Sequence, residues 1–427
     1  VRLPIFYGWI VVAVAFVTMG LGVNARTAFS LLFPPILDEF GWERGVTAGA
    51  FSVGFLVSTV FTPWMGAVMD RHGPRVVIGI GALAVSGGLA LAPLVQAPWQ
   101  LYVTLGVLVS GGTLACGYTG HALFLPNWFV RKRGFAIGVA FSGVGVGSIL
   151  MLPWIQAMIA QSGWRAACYA TAAIVLLTLL PLNLLQRRRP EDLGLRPDGD
   201  AGRGASGSAH VANVVDPDWV SIEWTLARAV RTAPFWWIVV GFLGALFAWY
   251  AVQVHQTKYL IEIGFPPTQA AWALGFVGFG GIAGQIVLGH LSDRIGREWV
   301  WSLACGGYVV CYAALLAMRA HPTPGLLYLM VGAQGLLGYG LASVYGAIPA
   351  EIFHGKHYGT IFGTLSLASS SGAALGPWVA GALYDRTGTY VIAFWLAMVA
   401  AVVSAIAMWL AAPRRVRAVA GRTPRPR

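Results

Sequence analysis

Apolar runs of about 20 or more residues recur along nearly the whole sequence, separated by short polar breaks, and no other feature constrains the fold as hard. A run of that length is what an α-helix needs to cross ~30 Å of hydrocarbon. Twelve such runs fall at roughly 8 to 37, 46 to 69, 75 to 95, 99 to 129, 134 to 160 and 164 to 186, then, after a polar gap, at 234 to 262, 268 to 291, 297 to 319, 324 to 351, 358 to 384 and 389 to 412. With 57% hydrophobic and only 10% charged residues, an ordinary soluble domain is excluded. The expectation is an all-α integral membrane protein with twelve transmembrane helices.

Charge placement sets the expected orientation, because cytoplasmic loops hold an excess of Lys and Arg. With both termini cytoplasmic, the 28 Lys and Arg divide into 22 inside, 5 outside and Arg26 within a helix. The basic clusters at 131 to 133 and 187 to 189, and the tail from 413 to 427, then all lie inside. The net charge of +12 is read as sidedness plus attraction to anionic lipid, with no nucleic-acid partner. Cys116, Cys168, Cys305 and Cys311 sit in apolar segments without a C-x-x-C pair, so buried free thiols are expected.

The polar gap from 187 to 233 is rich in Gly, Pro, Arg and Asp and cannot bury enough apolar surface to fold alone. It reads as a cytoplasmic linker whose amphipathic end, WTLARAVRTAPFWW, lies on the membrane before Pro234 opens the seventh helix. The segments on either side repeat one another. WIVV begins at Trp9 and again at Trp237; GAVMDRHGPR (66 to 75) answers to GHLSDRIGRE (289 to 298); GWRAACY (163 to 169) answers to GTYVIAF (388 to 394). Offsets of about 223 to 228 residues imply a duplicated six-helix unit. An even helix count keeps both copies in the same orientation, giving two pseudo-symmetric bundles, 1 to 186 and 234 to 412, able to rock about a central site.

The pattern G-x-x-x-D-R-x-G-x-R at Gly66, Asp70, Arg71, Gly73 and Arg75, repeated with Gly289, Asp293, Arg294, Gly296 and Arg297, resembles the inner-loop signature of the major facilitator superfamily. More narrowly, FYGWIVVAVAF, FPPILDEFGWERG, NWFVRKRGFAIGVAFSGVGVGS and LGPWVAGALYDRTGTY resemble bacterial members of the monocarboxylate and oxalate/formate porter group. The resemblance covers both halves. It implies the major facilitator fold and secondary transport. Characterised members of that group typically carry an arginine in helix 8, and the oxalate exchangers a lysine in helix 11. Here Thr268 to Leu291 contains neither Arg nor Lys, and Lys356 only precedes helix 11.

Arg26 is the residue that most needs a reason. An arginine in hydrocarbon costs about 2.5 to 3.5 kcal/mol on insertion scales, so it must face a cavity, find a partner or reach the interface. If the inner interface is at Trp9, a rise of ~1.5 Å per residue puts Arg26 about 25 Å up, within snorkelling range of the outer surface. If the helix is centred near Val23, it lies near the midplane. All 16 Asp and Glu fall in loops or at helix ends, so the missing counter-ion is either absent or the substrate, and a carboxylate suits a guanidinium.

The repeat maps Arg26 and Thr27 onto Val254 and His255, which makes His255 a second candidate, either as carrier of a coupling proton or as an interfacial, merely hydrogen-bonded histidine. Asn24, Tyr118, Tyr250, Gln334, Tyr339 and Tyr345 sit at depths suited to orienting a small ligand, or to plain helix contacts. Asp70, Arg71, Arg75, Asp293, Arg294 and Arg297 are expected to gate, by pairing with neighbouring carboxylates or helix C-terminal carbonyls in one state only. The glycines of helix 5, including Gly138, Gly143 and Gly147, are read as close-packing positions.

The expected activity is therefore secondary active transport of a small organic anion by proton symport or anion exchange, in a bacterial inner membrane and by a monomer. No catalytic residue, metal or cofactor is expected: there is no GxxxxGK[ST] loop, no HExxH and no GxSxG. Two rivals stand beside it. One is export of an amphipathic or neutral compound, for which Arg26 would be structural; the other is a nutrient sensor without net flux.

Overall fold

The computed structural model describes residues 6–129, 133–196, 215–353 and 357–416. Among them every regular element is a helix, and ten helical runs are long and apolar enough to cross a membrane. Their bends have local causes. The first run, Tyr7–Phe40, divides at Ala28 into Tyr7–Thr27 and Phe29–Phe40, and the second piece contains Pro34 and Pro35. Two consecutive prolines remove two helical donors, so the chain bends rather than continuing straight. A 51-residue run, Arg133–Asn183, turns at Gly163, whose φ of 82° and ψ of 164° are not helical. Tyr358–Thr387 is a helix of 30 residues that falls outside the ten because Ser, Thr and Gly dilute its apolar content.

The sequence repeat is written into the backbone. Gly41, Gly73 and Gly163 have φ of 65°, 76° and 82°, and their counterparts Gly264, Gly296 and Gly388 have 106°, 112° and 68°. A Cβ disfavours all of these conformations, which is why glycine stands at both copies of each turn. The fourth helix of each half also departs from α geometry in the same way. Tyr102–Ser110 and Ala333–Gly338 are both π-helical. Such segments hold a surplus residue inside a helix and tend to mark functional positions.

The chain divides into two compact units, Val1–Gly204 with Gln253–Phe279, and Ala205–Val252 with Gly280–Arg427. Two long helices, Ala233–Glu262 and Pro267–Ile295, are thus each shared between units.

In the first unit, the Tyr7–Thr27 helix lies close against the 133–162 segment because glycines face each other. A Cβ built on Gly20 would lie 2.9 Å from the Gly143 carbonyl oxygen, and one on Gly147 would lie 2.8 Å from the Asn24 amide nitrogen. In the second unit, the buried Ser404 hydroxyl joins three helices. It donates to the Gly241 carbonyl at 2.6 Å and accepts from Trp301 Nε1 at 2.9 Å.

All four cysteines are buried and free. The expected amphipathic stretch, 224 to 237, holds one short helix, Leu226–Ala229, ahead of the long helix Ala233–Glu262, and another short helix, Pro217–Ser221, precedes it. Trp219 Nε1 donates to the Ile352 carbonyl at 2.8 Å, and Trp224 sits edge-on to Phe353. This part of the linker is therefore packed into the second unit. The clusters at 131 to 132 and 197 to 214, and the tail from 417, lie outside the described residues.

Candidate functional site

In the first unit, Arg26 closes the last turn of the Tyr7–Thr27 helix. Its guanidinium carbon lies over two phenyl rings of the Arg44–His72 helix, 4.9 Å from the Phe55 centroid and 5.8 Å from that of Phe51. Among the described residues no carboxylate pairs with it. A cation over an aromatic face gains about 0.5 to 2 kcal/mol, increasing as water is excluded, so the rings offset part of the cost of burial while leaving the fork of N–H donors unused. The crevice beside it, walled by Phe29, Leu32, Leu105 and Val109, has room for about one water, while Arg26 itself stays partly exposed. The sequence reading missed the two phenylalanines, although their i, i+4 spacing places them on one helix face.

The other expected residues of this unit have mostly internal partners. Asn24 donates both amide hydrogens, to the Gly20 carbonyl at 2.7 Å and across to the Val144 carbonyl at 2.9 Å. Tyr118 follows the non-helical Gly117 and stands edge-on to Phe141, with ring centroids 5.0 Å apart. His255 is fully buried, edge-on to Phe33 at 5.2 Å. Its neighbours tie the same helix to Ser30, which bonds the Thr257 hydroxyl at 2.8 Å and the Val254 carbonyl at 3.2 Å.

In the second unit, aromatic residues gather around Trp249, which the sequence reading did not single out. Its ring lies 4.7 Å from Tyr339, 6.0 Å from Tyr308 and 6.1 Å from its neighbour Tyr250. Gly281 lets Tyr339 approach, since a Cβ there would lie 2.6 Å from the ring. Tyr345 is already engaged: its hydroxyl bonds Ser369 at 2.7 Å, and its ring stacks on Phe242 at 4.3 Å. Among the described residues, two buried side-chain polar atoms of this unit lack a partner, the Tyr308 hydroxyl and Gln334 Oε1, the latter within the Ala333–Gly338 π-helix. A buried polar group left unpaired costs about 1 to 3 kcal/mol, so these are the atoms of this unit most in need of a ligand or water.

The two motif loops share backbone and differ in chemistry. Gly73 and Gly296 each supply the positive φ that starts the next helix. Arg75 donates to the carbonyl of Gln186 at 3.0 Å and to that of Leu184, and its own carbonyl accepts from Asn183 Nδ2 at 2.6 Å. It thereby holds the turn that follows the Arg133–Asn183 helix. Arg297 stands one residue closer to its glycine and pairs instead with the Glu351 carboxylate at 2.9 Å, while also reaching the Ser292 hydroxyl. Arg71 and Arg294 are exposed. Asp70 and Asp293 lie on helices, but their side chains are outside the described set.

At the opposite end of the first unit, ion pairs that no local pattern announces join distant segments. Arg44 pairs with Glu262, Lys258 with Asp38 at 2.5 Å, and Arg165 with Glu39 through two bonds of 2.6 Å.

Helices of spanning length and apolar content in both units, and in the first unit a cation held by aromatic rings, suit a membrane protein. The family model of the Major Facilitator Superfamily matches residues 9–318 and 257–427, and the chain belongs to that superfamily. It is a secondary transporter and not an enzyme. Monocarboxylate transporter 12 of Rattus norvegicus is 26% identical over 95% of this chain and 85% of its own length. Monocarboxylate transporter 13 of Bos taurus is 26% identical over 91% of this chain and 85% of its own length. Among solved structures, a bacterial homolog of the human lysosomal transporter Spinster superposes with a TM-score of 0.69 at 16% identity, covering 96% of this chain and 98% of its own. The nucleoside transporter NupG reaches 0.69 at 13% identity over 95% and 100%.

Proposed function

We propose that the protein carries a small monocarboxylate-like anion across a bacterial inner membrane by alternating access, coupled to proton symport or anion exchange. The observation that carries this reading is Arg26: a partly exposed cation among apolar residues, supported by Phe51 and Phe55 and lacking a carboxylate partner among the described residues. A substrate carboxylate would take the N–H donors that the rings leave unused. The names of the relatives over nine-tenths of the chain agree. They also favour the monocarboxylate group within the superfamily.

The same proposal includes the full architecture. Counting the two sides of Gly163 separately and adding Tyr358–Thr387 gives twelve spans, in bundles 1 to 186 and 234 to 412 joined by the linker 187 to 233, with the basic tail from 413 and both termini cytoplasmic. The working form is a monomer. In the second bundle, Gln334, Tyr339 and Tyr250 would orient the substrate beside Trp249, with Tyr345 supporting them. Asn24 and Tyr118 would hold the helix that presents Arg26, and His255 is the candidate for the coupling proton. Arg75 and Arg297 would hold the cytoplasmic ends through their present partners, while Asp70, Arg71, Asp293 and Arg294 would complete the gate in the alternate state.

The test is uptake of labelled short monocarboxylates by proteoliposomes, alongside thermal shift with the acids and their neutral amides. Acids alone should stabilise the protein, by about 2.7 kcal/mol at 100 times Kd. Arg26→Ala should abolish both responses, and Arg26→Lys, which keeps the charge but loses the planar fork, should restore only part. Stabilisation by amides equal to that by acids would sink the anion reading.

A further inference from the structure

A groove of about 270 Å³ opens on the outside of the first unit between the Arg44–His72 helix, the Pro74–Leu91 helix and the π-helical segment that follows them. Every described side chain on its wall is apolar; Phe61, Trp64 and Ile80 are 46%, 56% and 49% exposed. On the Arg44–His72 helix the wall residues are Val57, Phe61, Trp64, Met65 and Val68, which recur at helical spacing and so form one stripe. The next place on that stripe is Arg71, with His72 beside it, both exposed. Unlike Arg75 and Arg297, Arg71 makes no hydrogen bond or ion pair among the described residues.

From Val57 to Val68 the stripe rises ~16 Å at ~1.5 Å per residue, the depth of one leaflet in ~30 Å of hydrocarbon. A second apolar groove, lined by Phe16, Val146, Leu150, Trp154 and Ile174, has no charged residue within a helical turn of its wall. Of these two grooves, the first joins a leaflet-length apolar wall to a cation, Arg71, that has no partner among the described residues.

We infer that this groove binds one acyl chain of an anionic phospholipid, with the phosphate on Arg71 and His72. The chain covers Phe61 and Trp64, and the guanidinium takes two phosphate oxygens in the bidentate geometry that suits it. The leaflet is the cytoplasmic one if the sidedness proposed above holds. In the state described here the lipid thus occupies a motif arginine that the gate requires in the other state.

The test is a titration of delipidated full-length protein in detergent with phosphatidylglycerol and phosphatidylcholine of identical chains, read by native mass spectrometry and thermal shift. Phosphatidylglycerol should bind about fivefold or more tightly, the effect of one basic residue near an anionic lipid. Arg71→Gln should remove most of that preference, and Arg319→Gln, in the second unit and outside the groove, should keep it. A phosphatidylglycerol with chains too short to fill the groove should bind more weakly, as should the long-chain lipid to Leu108→Trp. Equal binding of the two headgroups, an unchanged preference in Arg71→Gln, or equal binding of short and long chains would overturn the inference. Labelling of His72→Cys by an impermeant thiol reagent in sealed vesicles reports the leaflet separately, so an error in sidedness is distinguishable from the absence of a site.

Discussion

Glycine separates close packing from chain flexibility within one short stretch, GVAFSGVGVG. A Cβ on Gly147 would meet Asn24 and the Gly20 carbonyl group, whereas one on Gly138 meets nothing within 4 Å. Gly147→Ala should therefore destabilise the protein by about 1 to 3 kcal/mol through overpacking, and Gly138→Ala should stabilise it by about 0.5 to 1 kcal/mol by lowering the backbone entropy lost on folding. Melting temperatures of the two purified variants should move in opposite directions; movement in the same direction would show that Gly147 is not at a contact. Gly73→Ala and Gly296→Ala belong to a different class, since their penalty comes from positive φ at about 1 to 2 kcal/mol each, with no clash required.

At the scale of elements, the Ser404 hydroxyl is the clearest case of a contact that only packing creates. It satisfies the buried Trp301 N–H and donates to Gly241, so three helices depend on one oxygen. Ser404→Ala should cost about 1 to 3 kcal/mol because it leaves the indole N–H unpaired in a dry interior. Trp301→Phe in the same background should recover part of that loss by removing the orphaned donor. A double-mutant cycle on thermal unfolding tests this, and simple additivity of the two substitutions would exclude it. The π-helices at Tyr102–Ser110 and Ala333–Gly338 are also element-level features, recurring in both halves where candidate ligand groups cluster.

For the molecule as a whole, charge is concentrated at the helix ends, and the pairs there set which segments stay together. Lys258 is 13% exposed and pairs with the more open Asp38 at 2.5 Å. Lys258→Glu would set a second carboxylate against Asp38 at a largely buried position, so it should lower stability by more than the about 0.2 to 1 kcal/mol of an exposed pair and should bias the opening of that end. Cysteine-accessibility rates near Ser30 should rise in Lys258→Glu and return toward wild type in the Asp38→Lys/Lys258→Glu exchange. Equal rates in all three proteins would show that the pair is ornamental.

Much of this architecture was legible in the sequence because its causes are local. An apolar run of sufficient length must be helical in hydrocarbon, whatever it packs against, and the described helices follow the runs closely: 297 to 319 became Arg297–Met318, and 46 to 69 became Arg44–His72. The duplicated turns were legible too, because positive φ favours glycine, and glycine recurs at both copies of each turn. What remained hidden were partnerships. Arg26 found Phe51 and Phe55 rather than a carboxylate, and His255 lies against Phe33. Arg75 took helix-end carbonyls while its repeat counterpart Arg297 took Glu351. The sequence by itself determined which segments are helices, where they turn and that the design is repeated, since these depend on neighbours a few residues away. Only the tertiary structure decided what each buried charge and polar group meets, because those contacts depend on the rotation and register of helices distant in sequence.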